Sequence, residues 1–305
     1  MQRRLLELLI CPRCLPAEKP LRAVLRDLRD GDVVTATLTC PSCAAVYPVR
    51  DGVAVLLAAP PVSDQYATPQ RLASYLWSHY ADLDDDPDAH RAFAAWGNLL
   101  AGCGGPLLDV GCAVGRLSFA TASRVELVVG VDLSPSFIQA ARTLAREGQI
   151  VYAPVVEGEL TEARRVQLPV EYPRERVEFL VADAQVLPFA ANCFATATSL
   201  NLLDRVPVPR RHLLELNRVT RTEAATLLVA DPWSWAESPA LATAWLGGCT
   251  AGANAGLSLN NLEQLLTEEL SPPWRVTGSG RVDWTLRNHR NHFELIRSDY
   301  LLARR

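Results

Sequence analysis

Two Cys-x-x-Cys pairs carry the clearest chemistry in the chain: Cys11 and Cys14 in "CPRC", then Cys40 and Cys43 in "CPSC". Each short knuckle can offer two sulfurs to one ion, and the segment between the knuckles must fold back to bring all four together. That arithmetic fits a four-thiolate Zn2+ site of the structural kind, with no coordination position left for substrate. Two redox disulfides are the competing use, but thioredoxin-like motifs occur singly within a larger βαβ unit. The other four cysteines (Cys103, Cys112, Cys193, Cys249) stand alone and read as small apolar fillers.

A second group of residues surrounds the stretch "LLDVGCAVGRLSF", 107–119. It nearly spells a dinucleotide fingerprint, yet Ala113 stands where the second glycine would let backbone approach a pyrophosphate. S-adenosylmethionine has the adenosine without a pyrophosphate, and its aminoacyl end needs only a tight turn at Gly111 and Gly115. Two further acids fall where that ligand needs them. Asp132 ends "LVVGVD", where a carboxylate accepts both ribose hydroxyls. Asp183 in "VADAQ" can take the adenine amino group beside the Ala184 N–H. The cofactor set is therefore Asp109, Gly111, Cys112, Gly115, Asp132, Leu133, Asp183, Ala184 and Asn201.

These groups need a frame. From Leu72 the pattern alternates strand and helix, which predicts a mostly parallel sheet covered on both faces, of α/β class. "GPLLDVG", "LVVGVDLS", "VEFLVADA", "FATATSLNLLD" and "ATLLVADP" are the strands in order. Ser134 and Pro135 open a helix that Gly148 closes. The tail "RVDWTLRNHRNHFELIRSDYLLARR" predicts a closing antiparallel hairpin. Ahead of this lie "VVTATLTC", alternating into the second knuckle, and "AAPPVSDQYATPQ", a proline-marked boundary. The expected organisation is a ribbon over 1–58, a linker over 59–71 and a large domain over 72–305. A metal staple suits the ribbon, whose core is small.

Bulk composition narrows the function classes. The 305 residues are 49% hydrophobic and 21% charged, with a net charge of −4, which argues against a broad basic surface for nucleic acid or anionic membrane. No apolar run approaches the ~20 residues of a membrane span, and the apolar stretch near the start is too short for a signal peptide. Metal-like cysteine spacing makes a reducing cytoplasm the expected compartment.

Resemblances sharpen these readings. "LLELLICPRC…LTCPSCAAVYPVRDGVAVLL" resembles the small zinc-ribbon family that includes the activator subunit of several RNA and protein methyltransferases; Ala54 replaces the proline usual in its ending. The glycine turn with its downstream acids resembles the Rossmann-like class I methyltransferases. More narrowly, "YLWSHY" (75–80), "EGEL" (157–160), "NLLDRVPVPRRHL" (201–213), "DPWSWAES…WLGG" (231–248) and "WTLRNHRNHFE" resemble the methyltransferase domain of ovothiol synthases, which methylates a mercaptohistidine imidazole. The iron-dependent region of those enzymes is absent here.

That resemblance implies transfer of a methyl group to a small-molecule nitrogen. Asn201, Asp204 and Arg205 follow the fourth strand as the expected catalytic group, with Asn201 and Asp204 expected to face the transferred methyl. Arg205 or Arg287 could receive a substrate carboxylate, and Trp233, Trp235 and Trp245 could wall the pocket. Plainer roles compete: Asp204 as a helix cap, the tryptophans as core, and His79 as a structural histidine. His289 and His292 look like half a metal site with no third ligand nearby. The expected partner is a small-molecule methyl acceptor, with a homodimer or a protein partner reached through the ribbon. Two other readings stand beside it: an rRNA or tRNA base methyltransferase with a zinc module, and a non-catalytic scaffold for another methyltransferase.

Overall fold

The structure is a computed structural model that describes residues 1–59 and 66–305; positions 60–65 of the expected linker lie outside the described residues. In the N-terminal region a short helix α1 (Arg3–Leu6) precedes strands β1 (Arg22–Arg29), β2 (Asp32–Thr39), β3 (Val46–Arg50) and β4 (Val53–Leu56). The large domain begins with helices α2 (Pro69–Tyr80) and α3 (Ala92–Leu99). Then come β5 (Leu107–Val110), α4 (Arg116–Thr121), β6 (Val128–Asp132) and α5 (Pro135–Glu147). Four short strands follow, β7 (Gln149–Tyr152), β8 (Val155–Glu157), β9 (Leu160–Thr161) and β10 (Arg164–Gln167), forming two small two-stranded sheets between α5 and the next strand of the main sheet. The chain continues through β11 (Val177–Ala182), β12 (Thr196–Leu200), α6 (Pro209–Val219), β13 (Thr226–Asp231) and α7 (Ser258–Gln264), and ends in β14 (Arg275–His289) and β15 (His292–Arg304).

The described residues form one eleven-stranded sheet in the order β1-β2-β3-β4-β11-β6-β5-β12-β13-β15-β14. The five strands read from the sequence are β5, β6, β11, β12 and β13, and they pair in parallel. Their near-continuous apolar runs suit strands buried on both faces. Alternate residues feed two cores: Leu108, Val129 and Leu180 belong to one, and Leu107, Val128 and Phe179 to the other. The tail forms the expected hairpin, β15 lying antiparallel to β13. Helix α5 begins as its sequence dictates. The Ser134 hydroxyl accepts the Phe137 N–H, Pro135 occupies the first turn, and Gly148 closes the helix in the left-handed region.

The ribbon and the large domain share this sheet. Strand β4 lies parallel to β11, Val55 opposite Val181 and Leu56 opposite Ala182. Leu9 bridges Phe189, and the Ile10 N–H donates to the Pro188 carbonyl at 2.9 Å. Side chains reinforce the joint: Arg218 pairs with Glu18 at 3.0 Å, and buried Arg142 meets Asp32 and, at 3.6 Å, Glu178.

Candidate functional site

The glycine turn is shaped by what surrounds it. Gly111 has φ +75°, and a Cβ there would come within 2.9 Å of Leu202. Gly115 has φ +85°, and a Cβ would reach within 2.7 Å of the Phe179 ring. Both therefore exclude larger residues on space as well as on backbone conformation. Ala113 also lies at positive φ, +46°. Its N–H is held by Asp132, whose Oδ2 accepts it at 3.0 Å while Oδ1 accepts the Ser134 N–H at 2.8 Å. The carboxylate at the end of β6 thus fixes the turn and the start of α5 together, and it remains partly exposed. Leu133 beside it is 46% exposed.

Asp183 directly follows β11, and its Oδ1 accepts the Gln185 N–H at 2.8 Å. The neighbouring Ala184 carbonyl accepts a hydrogen bond from His212 Nδ1 at 3.0 Å, which leaves Nε2 to accept the Ser199 hydroxyl at 2.8 Å. Burial lowers the His212 pKa to about 4, so the ring is neutral in this bridge. His212 is not among the residues expected from sequence, although its place on the apolar stripe of α6 beside Leu213 and Leu216 is a signal.

Three expected site residues behave differently. Asp109 is turned inward: Ser118 Oγ donates to one oxygen at 2.6 Å and Thr198 Oγ1 to the other at 2.9 Å. Burial raises its pKa, and its carboxylate braces α4 against β12 rather than facing a ligand. Asp204 is also turned inward. It is 1% exposed, its Oδ2 accepts the Ser234 N–H at 3.0 Å, and Arg205 Nε lies 3.1 Å from Oδ1. It caps no helix; it fixes the loop after β13 together with Asp231, which accepts the N–H groups of Asp204 and Trp233. Burial, then the Asp204 charge, push the Asp231 pKa far above the carboxylate range. Cys112 is a buried thiol that burial keeps protonated.

Asn201 is next to a residue that touches the turn. Its backbone lies at φ +55°, its side-chain oxygen accepts the Ser298 hydroxyl, and Leu202 next to it packs over Gly111. Two aromatic residues not anticipated from sequence stand near Asp132. Tyr66 and Tyr75 pack at a tilt against Phe137, 5.1 and 4.6 Å between ring centroids, in the neighbourhood of Asp132 and Arg205. Trp235 stacks on Trp245 at 6.1 Å and lies 6.3 Å from Trp233. His79 is buried against Phe93, its pKa lowered to about 3 by burial and Arg116, and is structural. His289 and His292 face each other at the hairpin tip, outside the one metal-competent cluster found among the described residues.

That cluster is Cys11, Cys14, Cys40 and Cys43, whose sulfurs all lie within 4.8 Å of one another. The Cys11–Cys43 and Cys14–Cys40 separations are 3.6 and 3.7 Å. Four sulfurs about 2.3 Å from a central zinc would stand roughly 3.8 Å apart, so the donor set fits a tetrahedral ion.

Comparison with known proteins agrees with this geometry. Residues 108–228 match the family described as Methyltransferase domain, and residues 2–52 the family described as Trm112p-like protein. The ubiquinone biosynthesis O-methyltransferase of Coxiella burnetii is 33% identical over 105 residues, 34% of this chain and 34% of that protein. The chain thus spans about a third of the length of the curated relatives it matches. A SAM-dependent methyltransferase from Methanosarcina mazei is 20% identical with a TM-score of 0.41, over 65% of this chain and 90% of that one. A complex containing the Haloferax volcanii Trm112 methyltransferase activator is 18% identical with a TM-score of 0.36, over 57% and 62%. Residues 108–228 are thus a methyltransferase domain of the S-adenosylmethionine-dependent kind, preceded over 2–52 by a Trm112p-like region whose four cysteines are placed for a structural zinc.

Proposed function

We propose that the protein transfers a methyl group to a nitrogen of a small molecule, the imidazole of a mercaptohistidine-like metabolite being the acceptor implied by the resemblance to ovothiol synthases. The observation that carries the cofactor half is Asp132, clamped by the Ala113 and Ser134 N–H groups at the end of β6 and still partly open. From there it accepts ribose hydroxyls, while Asp183 and the Ala184 N–H take the adenine and half-exposed Leu133 lies along its face. Gly111, Cys112 and Gly115 shape the turn for the aminoacyl end. S-adenosylmethionine supplies, when bound, an electrophilic methyl group on a sulfonium.

The chain's own residues then align the acceptor and exclude water. A neutral imidazole already has a free lone pair, so no strong base is needed. Asn201 borders the methyl, with Tyr66 and Tyr75 opposite. A roof over the strand ends favours a small acceptor. The hairpin continues past the last pairing of β13, Asp231 with Asp299, and reaches α2 through Ser74 and Ser78. The ribbon's inner edge, β4, is already paired within this chain, which favours an enzyme in its own right over a recruiter of another methyltransferase. Thiolate zinc ligands suit a reducing compartment.

The test is methyl-labelled cofactor incubated with mercaptohistidine, histidine derivatives, phenolic acceptors and RNA. Label in an imidazole-bearing product is expected. Label only in a phenol would transfer to this chain the oxygen chemistry in the name of its Coxiella relative, and label only in RNA would overturn the small-molecule reading.

A further inference from the structure

Three arginines of the described residues are almost fully buried: Arg116, Arg142 and Arg287. Arg116 pairs with Asp82 at 3.1 Å, and Arg142 with Asp32 and Glu178. Arg287 has no such partner. It sits on β14 where the hairpin meets α2, its N–H donating to the Ser78 hydroxyl at 3.2 Å and its carbonyl accepting from Ser74. The residue is 4% exposed, and its guanidinium lies 5.6 Å from the centre of the Trp77 ring. No hydrogen bond or ion pair joins its side chain to another described residue, and Nε is a buried donor without an acceptor.

The groups around it are Arg164, Asp86, Tyr152 and Glu162. Asp86 is already engaged, by Arg164 at 2.8 Å, the Trp77 indole N–H at 3.1 Å and the Asp88 N–H at 3.2 Å. Tyr152 keeps its hydroxyl proton, because burial pushes its pKa up to about 12. A buried cation that no carboxylate contacts is costly to a fold, and a guanidinium packed over an aromatic ring presents its fork to a planar anion. Arg205, the other candidate, is spent on Asp204 and is 45% exposed.

We propose that Arg287 forms an anion subsite that takes a carboxylate, gripped by the guanidinium fork with the Tyr152 hydroxyl as a second donor. One unpaired cation among the described residues there, with Asp86 and Glu162 nearby, suits a monoanion better than a phosphate. That the carboxylate belongs to the methyl acceptor rests on the function proposed above.

The test compares the full chain with Arg287→Met, which keeps the stem and removes the charge. Sodium acetate should raise the wild-type Tm above that in sodium chloride of equal ionic strength, and the variant should not respond. Without ligand the variant should melt about 2–4 °C higher, because an uncompensated charge has gone. A structural arginine would give the opposite sign. A less stable variant, a variant that keeps the acetate response, or a wild type without one overturns the subsite. S-adenosylhomocysteine is run in parallel on both proteins. Its shift without an acetate response removes the subsite and leaves the proposed function, whereas an acetate response without its shift does the reverse. With that ligand present, L-histidine stabilising more than histamine ties the carboxylate to the acceptor; an equal response overturns that tie.

Discussion

Gly115→Ala probes how tightly the cofactor turn is built into the core. The Phe179 ring is completely buried between two glycines: a Cβ at Gly115 would lie 2.7 Å from it, and one at Gly130 2.5 Å. At Gly115 two costs add. Placing a side chain at φ +85° costs about 1–2 kcal/mol, and overpacking a closed core costs about 1–3 kcal/mol more. The expected loss is thus about 2–5 kcal/mol, a large part of the 5–15 kcal/mol typical of a folded domain. The two parts can be separated. Phe179→Leu alone should cost about 1 kcal/mol, and it removes the ring that the new methyl would strike. The double variant should then be more stable than the sum of the single losses by about 1–2 kcal/mol, leaving chiefly the backbone cost. Urea unfolding at constant m-value reads these differences, and calorimetric titration with S-adenosylhomocysteine reads the turn itself. A Gly115→Ala protein within 0.5 kcal/mol of wild type, or strict additivity in the cycle, would refute the reasoning.

Asp132→Ala should weaken S-adenosylhomocysteine by about 1–3 kcal/mol in calorimetric titration, since ribose hydroxyls and two backbone N–H groups lose a charged acceptor; unchanged affinity removes that assignment. Cys40→Ser with Cys43→Ser should abolish a content of about one zinc per chain by elemental analysis and lower the Tm; a metal-free wild type of equal stability refutes the ribbon. His79 and His212 have folded pKa values depressed to about 3 and about 4, below the unfolded 6.5. The unfolded chain therefore binds more protons than the folded one below pH 6.5, and stability is lost as pH falls toward those values, by up to about 2 kcal/mol per histidine at pH 5. His79→Phe, which also removes an unpartnered buried nitrogen, should flatten this dependence in urea titrations at pH 7 and pH 5; an unaltered slope would show that His79 takes no part.

What the sequence made legible was local. The runs LLDV, VVGVD and VEFLVA are apolar because both faces of a parallel sheet are buried, and Ser134, Pro135 and Gly148 signal helix ends by their own conformational preferences. The metal site follows from spacing within two knuckles. What stayed hidden depends on partners far along the chain. Asp109 looks like a ligand-facing acid until Thr198, on another strand, is seen to take one of its oxygens. Asp204 lies just beyond a strand end, yet Ser234 and Asp231 turn it inward. Tyr66 and Tyr75 matter only through Phe137, and no periodicity announces that β4 will lie beside β11.

That last pairing also sets a timetable for synthesis. Residues 1–52 contain all four cysteines and three of the four ribbon strands, so the metal knuckle can close early on the ribosome. Val55, however, waits for Val181, more than a hundred residues downstream, before β4, paired until then only with β3, gains its second neighbour. Until then the nascent chain carries an apolar strand edge open to any passing partner. On its other side the ribbon ends in β1, where Arg22, Arg26, Asp27 and Arg29 make a poor template for another strand. The vulnerable interval in the life of this protein is therefore the time taken to translate the first half of its methyltransferase domain.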